Sequence, residues 1–244
     1  MHNVLVTGGS RGIGLAIARQ LAGSGYRVIA IARGSTPELT EAAAQAAAAP
    51  AGRIEFRGFD LTNIAGIPAF VRALRAEFGG FYGLVNNAGL GTGGILANMR
   101  DEEIARLVQL NTLSPIVLTK YVAKSMMLER AGRIVNMASI VASTGYSGLS
   151  VYSATKASLT GFTRSFAREV GQLGITVNAI APGFIATDMT QELDESQRER
   201  IANRSALKRL AEPIDVARSV EFLLSEAGRN ITGTVLTVDA GNVA

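Results

Sequence analysis

Short apolar runs alternate along the chain with longer stretches whose apolar positions recur at helical spacing. Residues 3–7, 27–32, 53–57, 82–86, 133–138, 175–181 and 234–238 predict strands. Residues 13–22, 37–49, 64–78, 101–128 and 151–170 predict helices, with shorter ones at 195–203 and 214–224. Most of these strands are apolar runs rather than alternating, the pattern of a sheet covered on both faces. Strands separated by helices imply βαβ units and a parallel sheet. No linker-like break and no repeat of 20–50 residues interrupts the series. The expectation is one α/β domain over residues 1–244: a doubly wound parallel sheet of about seven strands with helices on both faces. In such a sheet ligands bind beyond the carboxyl ends of the strands, where the strand order reverses.

Composition then narrows the chemistry. Of 244 residues, 48% are hydrophobic and 18% charged, with no Cys, no Trp and one His, at position 2. Globular chains usually carry ~25% charged residues, so this one buries more, within the sheet or at subunit contacts. The lack of Cys excludes a thiolate nucleophile, Cys-ligated zinc and a disulfide framework, and it fits a reducing compartment. His2 stands at the chain start, where order is least expected. No His-based triad, proton relay or metal site is therefore expected, and acid–base work falls to Tyr, Lys or a carboxylate. The uncharged stretches 78–99 and 134–155 are broken by Asn, Gly or Ser, so neither is a run of ~20 apolar residues. With no signal-peptide layout either, a soluble cytoplasmic protein is expected.

The net charge is +4, but Arg is dispersed and no like-charge run forms a tail, so no nucleic-acid partner is expected. Its placement is more informative. The first acidic residue is Glu38, and Arg11, Arg19, Arg27 and Arg33 precede it. Something anionic is expected at that end. Thr7-Gly8-Gly9-Ser10-Arg11-Gly12-Ile13-Gly14 joins the first strand to the first helix, where glycines let backbone approach a ligand and the helix N-terminus attracts phosphate. A second glycine pattern, Gly89, Gly91 and Gly94, follows the fourth strand but opens no immediate helix; it reads as a decoy in a mobile loop. An NAD site would place a carboxylate at the end of strand two. That position reads Ala32-Arg33-Gly34, so Arg33 and Arg11 are expected to clamp the 2′-phosphate of NADP(H).

Tyr152-Ser153-Ala154-Thr155-Lys156 lies on a predicted helix, with phenol and ammonium on one face. With 5 Tyr and 4 Lys in the chain, chance supplies this spacing about 0.08 times. A cation about 4 Å away is worth up to ~4 kcal/mol at an effective dielectric of ~20. That would lower the phenol from ~10 toward 7 and let it exchange a proton with a carbonyl oxygen. Ser139 ends the fifth strand, where its hydroxyl can bind the same oxygen or simply cap a turn. Asn111, in the middle of the long helix, can hold water or backbone.

Thr7 to Gly14, Asp60-Leu61-Thr62, Asn86-Asn87-Ala88-Gly89, Asn111, Ser139, Tyr152 with Lys156, and Pro182-Gly183 with Thr187 together resemble the short-chain dehydrogenase/reductase family across essentially the whole chain. The resemblance implies a Rossmann domain and hydride transfer between a nicotinamide and a carbonyl/alcohol pair. Tyr152 would be the acid/base. Lys156 would bind the nicotinamide ribose and lower the Tyr pKa, Ser139 would polarise the carbonyl, and Asn111 would hold a relay water. Cofactor contacts would come from Gly8, Gly9, Ser10, Arg11, Gly12, Ile13, Gly14 and Arg33. Asp60 and Leu61 would flank the adenine, with Asn87, Ala88 and Gly89 at the adjacent ribose. Pro182, Gly183, Ile185 and Thr187 would wrap the carboxamide. A homotetramer is also implied.

Within the family, residues 130–134, 182–189 and 231–233 are similar to 3-oxoacyl-[acyl-carrier-protein] reductases. This implies NADPH-dependent reduction of a 3-oxoacyl thioester, with Arg130 and Arg133 as candidate contacts for an acidic carrier. Two positions depart from that pattern. Leu173 stands where an Arg is frequent, and Val238-Asp239-Ala240-Gly241-Asn242 replaces the frequent V-D-G-G. Other carbonyl or alcohol substrates (CoA thioesters, polyols, sugars, steroids) and a non-catalytic nucleotide-binding role remain the alternatives.

Overall fold

A computed structural model of the protein describes residues 1–91, 93–185 and 195–244. The strands are β1 (Asn3–Thr7), β2 (Arg27–Ala32), β3 (Arg53–Gly58), β4 (Gly83–Asn86), β5 (Gly132–Met137), β6 (Ile175–Pro182) and β7 (Val235–Val238). They form one seven-stranded sheet in the order β3-β2-β1-β4-β5-β6-β7, and every pairing is parallel. The helices are α1 (Gly12–Gly23), α2 (Pro37–Ala48), α3 (Ile67–Phe78), α4 (Asp101–Val108), α5 (Ser114–Glu129), α6 (Ser150–Val170), α7 (Glu195–Arg204) and α8 (Pro213–Leu224).

Successive side chains of a strand point to opposite faces, and each face has its own core. Val4, Val6, Val28, Ala30 and Val135 pack on one side with Leu15, Ile17 and Leu21 of α1, Leu39 of α2 and Val216, Val220 and Leu223 of α8. Leu5, Ile29, Ile31, Leu84, Ile134 and Val177 pack on the other with Val71 and Leu74 of α3, Leu118, Val122 and Met126 of α5 and Phe166 and Val170 of α6. This double burial is what the unbroken apolar runs predicted. The expected helix over 101–128 is interrupted: Gln109–Leu113 form a π-turn between α4 and α5. Such bulges gather at functional sites, and this one contains Asn111.

The topology locates the cleft. β1 and β4 are neighbours although they are not consecutive. The chain leaves β1 toward β2 and leaves β4 toward β5, so the loops after these two strands diverge. A polar seam crosses the sheet beneath them. The amide of Asn86, on β4, donates to Asn136 on β5 (2.8 Å) and to the Thr119 hydroxyl (2.9 Å), and Asn136 donates to Thr163 (2.9 Å). Through these bonds α5 and α6 are keyed to the two central strands.

Candidate active site at the carboxyl ends of the strands

The glycine loop is held by its neighbours rather than by its own side chains. Gly8 has φ +66°, a left-handed conformation that suits glycine, and its N–H donates to the Ile31 carbonyl (2.8 Å). Gly14 is required by close approach, since a Cβ there would lie 2.0 Å from the Gly8 carbonyl oxygen. The hydroxyl of Thr36 donates to the Ser10 carbonyl (2.7 Å) and caps α2 by accepting from the Leu39 N–H (3.2 Å). α1 is preceded by Arg11, which makes no side-chain cap, and has no acidic residue in its first turn, so no side chain caps its first N–H groups or offsets its positive dipole end. Ser10, Gly12 and Ile13 complete this turn.

Arg11 and Arg33 are both exposed. Arg33, just past β2, acts electrostatically on Asp60, just past β3. The Asp60 carboxyl is held below its usual range, first by hydrogen bonds from the Thr62 N–H and hydroxyl, then by Arg33 and Arg106. Leu61 beside it is buried. No carboxylate stands at the end of β2.

Thr7 fastens the loop after β4 to β1. Its hydroxyl oxygen accepts from the N–H groups of Asn87 and Ala88 (2.9 Å each), and the Asn87 amide donates to the Thr7 carbonyl (2.9 Å) and the Gly8 carbonyl (3.3 Å). Further along this loop, a Cβ on Gly89 would lie 3.3 Å from Asn111 Oδ1 and 3.5 Å from Lys156 Nζ. The second glycine pattern therefore begins against the catalytic candidates.

Asn111 is buried at 1% exposure. Its oxygen accepts from the Leu90 N–H (2.8 Å), and its amide donates to the Leu90 carbonyl (2.8 Å) and to the Thr155 hydroxyl (3.2 Å). The side chain is thus bonded to backbone at Leu90 and to a hydroxyl on α6. Thr155 precedes Lys156 on α6, so one amide joins the π-turn, the β4 loop and the catalytic helix.

The pair on α6 departs from its sequence-level electrostatics. Lys156 is buried, and its ammonium donates to the Met137 carbonyl at the end of β5 (2.8 Å). It sits 5.7 Å from the centre of the Tyr152 ring. Burial lowers the ammonium from its ordinary 10.5 to about 8. Burial also raises the Tyr152 phenol above 10.0, with a hydrogen bond to the Ser139 side chain pulling it down. The expected shift of the phenol toward 7 is thus reversed in this structure. Desolvation outweighs the Ser139 hydrogen bond, and the ammonium is turned to the ring and to a carbonyl. Ser139 also caps the turn after β5, its Oγ accepting from the Val141 N–H (3.4 Å).

Pro182 ends β6. Gly183 donates its N–H to the Val238 carbonyl (3.0 Å), and a Cβ there would meet Asp239 Cβ at 2.6 Å. Ile185 is buried and bridges to Ala211. Thr187 lies outside the described residues, as does Met189.

Arg130 and Arg133, the candidate contacts for a carrier, stand toward the amino end of β5. They lie before and at the start of β5, whereas Ser139 follows its end. Six residues of strand at ~3.3 Å each put roughly 20 Å between the two ends. Arg133 is buried, donates to the Gly132 carbonyl (2.9 Å), and lies over the Tyr82 ring (5.5 Å). Arg130 donates to the Gln172 carbonyl (2.9 Å). Neither lines this chain's own cleft. A cavity of about 730 Å³ lies between α1 and the first turn of α8, and none of Asn111, Ser139, Tyr152 or Lys156 lines it.

Comparison with known proteins agrees with this arrangement. The model of a family described as short chain dehydrogenase matches residues 2–198. The chain belongs to that family. It is 42% identical over 238 residues to the 3-oxoacyl-[acyl-carrier-protein] reductase FabG of Vibrio cholerae, covering 97% of this chain and 95% of that protein. It is 42% identical over 239 residues to the enzyme of the same name from Escherichia coli, covering 97% and 95%. Among solved structures, a double mutant of a Serratia marcescens short-chain dehydrogenase/reductase superposes with a TM-score of 0.92 at 30% identity, covering 100% of this chain and 98% of that one.

Reasoning from sequence missed three contributors. Thr7 ends an apolar strand with a hydroxyl, which was a readable signal. Thr155 stands next to Lys156, yet nothing in its spacing distinguishes it. The Met137 carbonyl left no trace, since a backbone acceptor is invisible in a sequence.

Proposed function

We propose that the chain reduces a 3-oxoacyl thioester, carried by acyl carrier protein, to the 3-hydroxyacyl thioester with NADPH. The observation that carries this reading is the convergence of Ser139, Tyr152, Lys156 and Gly89 beside a glycine loop that opens on an uncapped helix N-terminus. The relatives 42% identical to the chain, named for that activity, supply the substrate class.

The residues present fit a dinucleotide. The loop would hold the pyrophosphate where the positions of Gly8 and Gly14 leave no room for side chains. Arg11 and Arg33 would take the 2′-phosphate. Asp60 and Leu61 would flank the adenine, and Asn87 to Gly89 the adjacent ribose. Lys156 would hold the nicotinamide ribose, and Pro182, Gly183, Ile185 and Thr187 the carboxamide. Bound there, NADPH supplies a hydride to C3 of the substrate. The Tyr152 hydroxyl gives its proton to the C3 oxygen, and the Ser139 hydroxyl donates a hydrogen bond to the same oxygen. Burial keeps the phenol protonated at neutral pH, the form that a proton donor needs. Asn111, through Leu90, keeps the β4 loop seated against Lys156.

A homotetramer accompanies this reading, with exposed Val108, Leu113 and Leu128 around α4–α5 and Phe222 on α8 as apolar surface for subunit contacts. So does the cytoplasmic location. Among the described residues no helix is long and apolar enough to cross a membrane.

The test compares NADPH with NADH on 3-oxoacyl groups carried by acyl carrier protein or CoA, and on free ketones, polyols, sugars and steroids. The expected result is turnover of the thioesters, fastest on the carrier, with NADPH preferred and Arg33→Ala weakening NADPH alone. Equal use of both cofactors with Arg33→Ala neutral overturns the phosphate clamp. Turnover confined to the other substrates overturns the substrate class.

A further inference from the structure

The C-terminal segment is built, not frayed. The Asp239 carboxylate accepts from the N–H groups of Gly241 (2.8 Å) and Val243 (2.9 Å). Ala240 and Gly241 both adopt left-handed backbone, φ 57° and 76°. That conformation is unfavourable for an L-residue such as Ala240. The bend it makes carries the chain alongside the segment after α7, where the Leu207 N–H donates to the Ala240 carbonyl (3.0 Å) and the Ala206 N–H to the Gly241 carbonyl (3.1 Å). This is the stretch that departs from V-D-G-G, and the proposed reaction makes no use of it.

Beyond the bend, Asn242 Oδ1 accepts from the Tyr146 hydroxyl (3.3 Å). Tyr146 lies on the loop from Ser139 to α6, and its carbonyl accepts from the Leu149 N–H in the turn that leads to Tyr152. The Tyr146 ring meets Phe184 edge to face at 6.0 Å, and Phe184 follows Pro182–Gly183 at the end of β6. Two rings and a latch thus connect the loop bearing Ser139, the end of β6 and the C-terminus. The half-buried ring of Tyr146 is fixed by contacts from both sides.

We propose that Tyr146, latched by Asn242 and edged by Phe184, is a specificity-determining residue that walls the acyl end of the substrate site and favours short 3-oxoacyl groups. The Tyr146 hydroxyl is spent on Asn242, which leaves the paired rings as apolar surface. The inference rests on the thioester reading above. A wall in a fixed pose rejects extra methylenes, and each methylene that an apolar pocket accepts or refuses is worth about tenfold or more in kcat/KM.

The experiment measures kcat/KM for 3-oxoacyl thioesters of four and twelve carbons in the parent, Tyr146→Ala, Tyr146→Phe, Asn242→Ala and Asn242→Asp. Removing the ring is expected to raise the long-to-short ratio by about tenfold or more. Tyr146→Phe and Asn242→Ala, which remove only the latch, are expected to raise it several-fold. Asn242→Asp keeps an acceptor oxygen and is expected to hold the parent ratio. Tyr146→Phe is the conservative variant should Tyr146→Ala not fold. A parent-like ratio in Tyr146→Phe and Asn242→Ala overturns the proposal. Loss of rate that is equal on both chain lengths also overturns it, because a merely structural role would do the same. A parent inactive on every thioester overturns the functional reading, and this proposal with it.

Discussion

Two glycines of α1 give one substitution two opposite outcomes. A Cβ on Gly14 would sit 2.0 Å from the Gly8 carbonyl oxygen and 2.6 Å from Asn87 Nδ2, whereas a Cβ on Gly23 meets nothing within 4 Å. Real Cβ contacts start near 3 Å, so Gly14→Ala forces the glycine loop to move by about 1 Å. The loop is pinned by Gly8 N–H to Ile31 and by the Asn87 amide to Thr7 and Gly8. Overpacking of this kind costs about 1–3 kcal/mol. A lost hydrogen bond adds about 1 kcal/mol, and the better helix propensity of Ala returns about as much. The net loss is about 1–3 kcal/mol. Gly23→Ala keeps only the propensity gain and is expected to be neutral or stabilising by up to ~1 kcal/mol.

Thermal melting separates the two, at roughly 2–4 °C per kcal/mol for a chain of this length. Gly14→Ala should melt several degrees below the parent and bind NADPH more weakly. A misplacement near 1 Å costs up to about a hundredfold in turnover. Gly23→Ala should match or exceed the parent on every measure. If Gly14→Ala keeps the parent's melting temperature and NADPH affinity, or if Gly23→Ala is equally damaging, the loop is not braced as described.

Tyr152→Phe removes the proton donor and leaves the ring, so kcat should fall by roughly 10²–10⁴ while NADPH affinity holds; near-parent turnover would end the assignment. Lys156→Met tests the buried ammonium through pH. The folded pKa, about 8, is below the ordinary 10.5, so between these values the unfolded chain binds more protons and the parent gains stability as pH rises. That contribution is present above 10.5 and lost as pH falls through about 8. The melting difference between parent and variant should therefore be constant below pH 8 and shift in the parent's favour above it, and a flat difference from pH 7 to 10 would refute burial as the cause. Asn111→Leu strands the N–H and carbonyl of Leu90, at about 1–3 kcal/mol for a buried group left unpaired. Urea unfolding should report that loss and hydrogen exchange should quicken at Leu90; unchanged exchange would remove Asn111 as the brace.

How far the sequence could be read follows from the range of the physics involved. Strand runs and their double burial are local, and they located β1 to β7 within a residue or two. The i, i+4 rule put Tyr152 and Lys156 on one helical face, but it does not say which atom the ammonium seeks. That was decided by Met137, nineteen residues away in the chain. The π-turn escaped notice because an extra residue in one helical turn barely alters the apolar period. The place of Arg130 and Arg133 shows a different limit. Resemblance matched their positions in sequence, while the strand direction, which sends β5 away from them toward Ser139, decides which end of the sheet they occupy.

The reversed pKa of Tyr152 changes the chemical argument without undoing it. A phenol drawn down toward 7 would be partly ionised at rest, and an ionised phenol has no proton to give. Burial instead keeps it protonated until it is needed. With a hydride supplied to C3, the substrate oxygen would gain alkoxide character and be far more basic than a phenolate, so a phenol above its ordinary pKa would still be a competent acid toward it. The ammonium 5.7 Å from the ring centre then faces the phenolate that forms. Under the proposed function Lys156 would act on the charge that appears during proton transfer, the differential stabilisation that accelerates a step rather than merely tightening binding. Its hold on Met137 keeps it at that distance, because the same carbonyl that draws the ammonium from the hydroxyl fixes it beneath the ring.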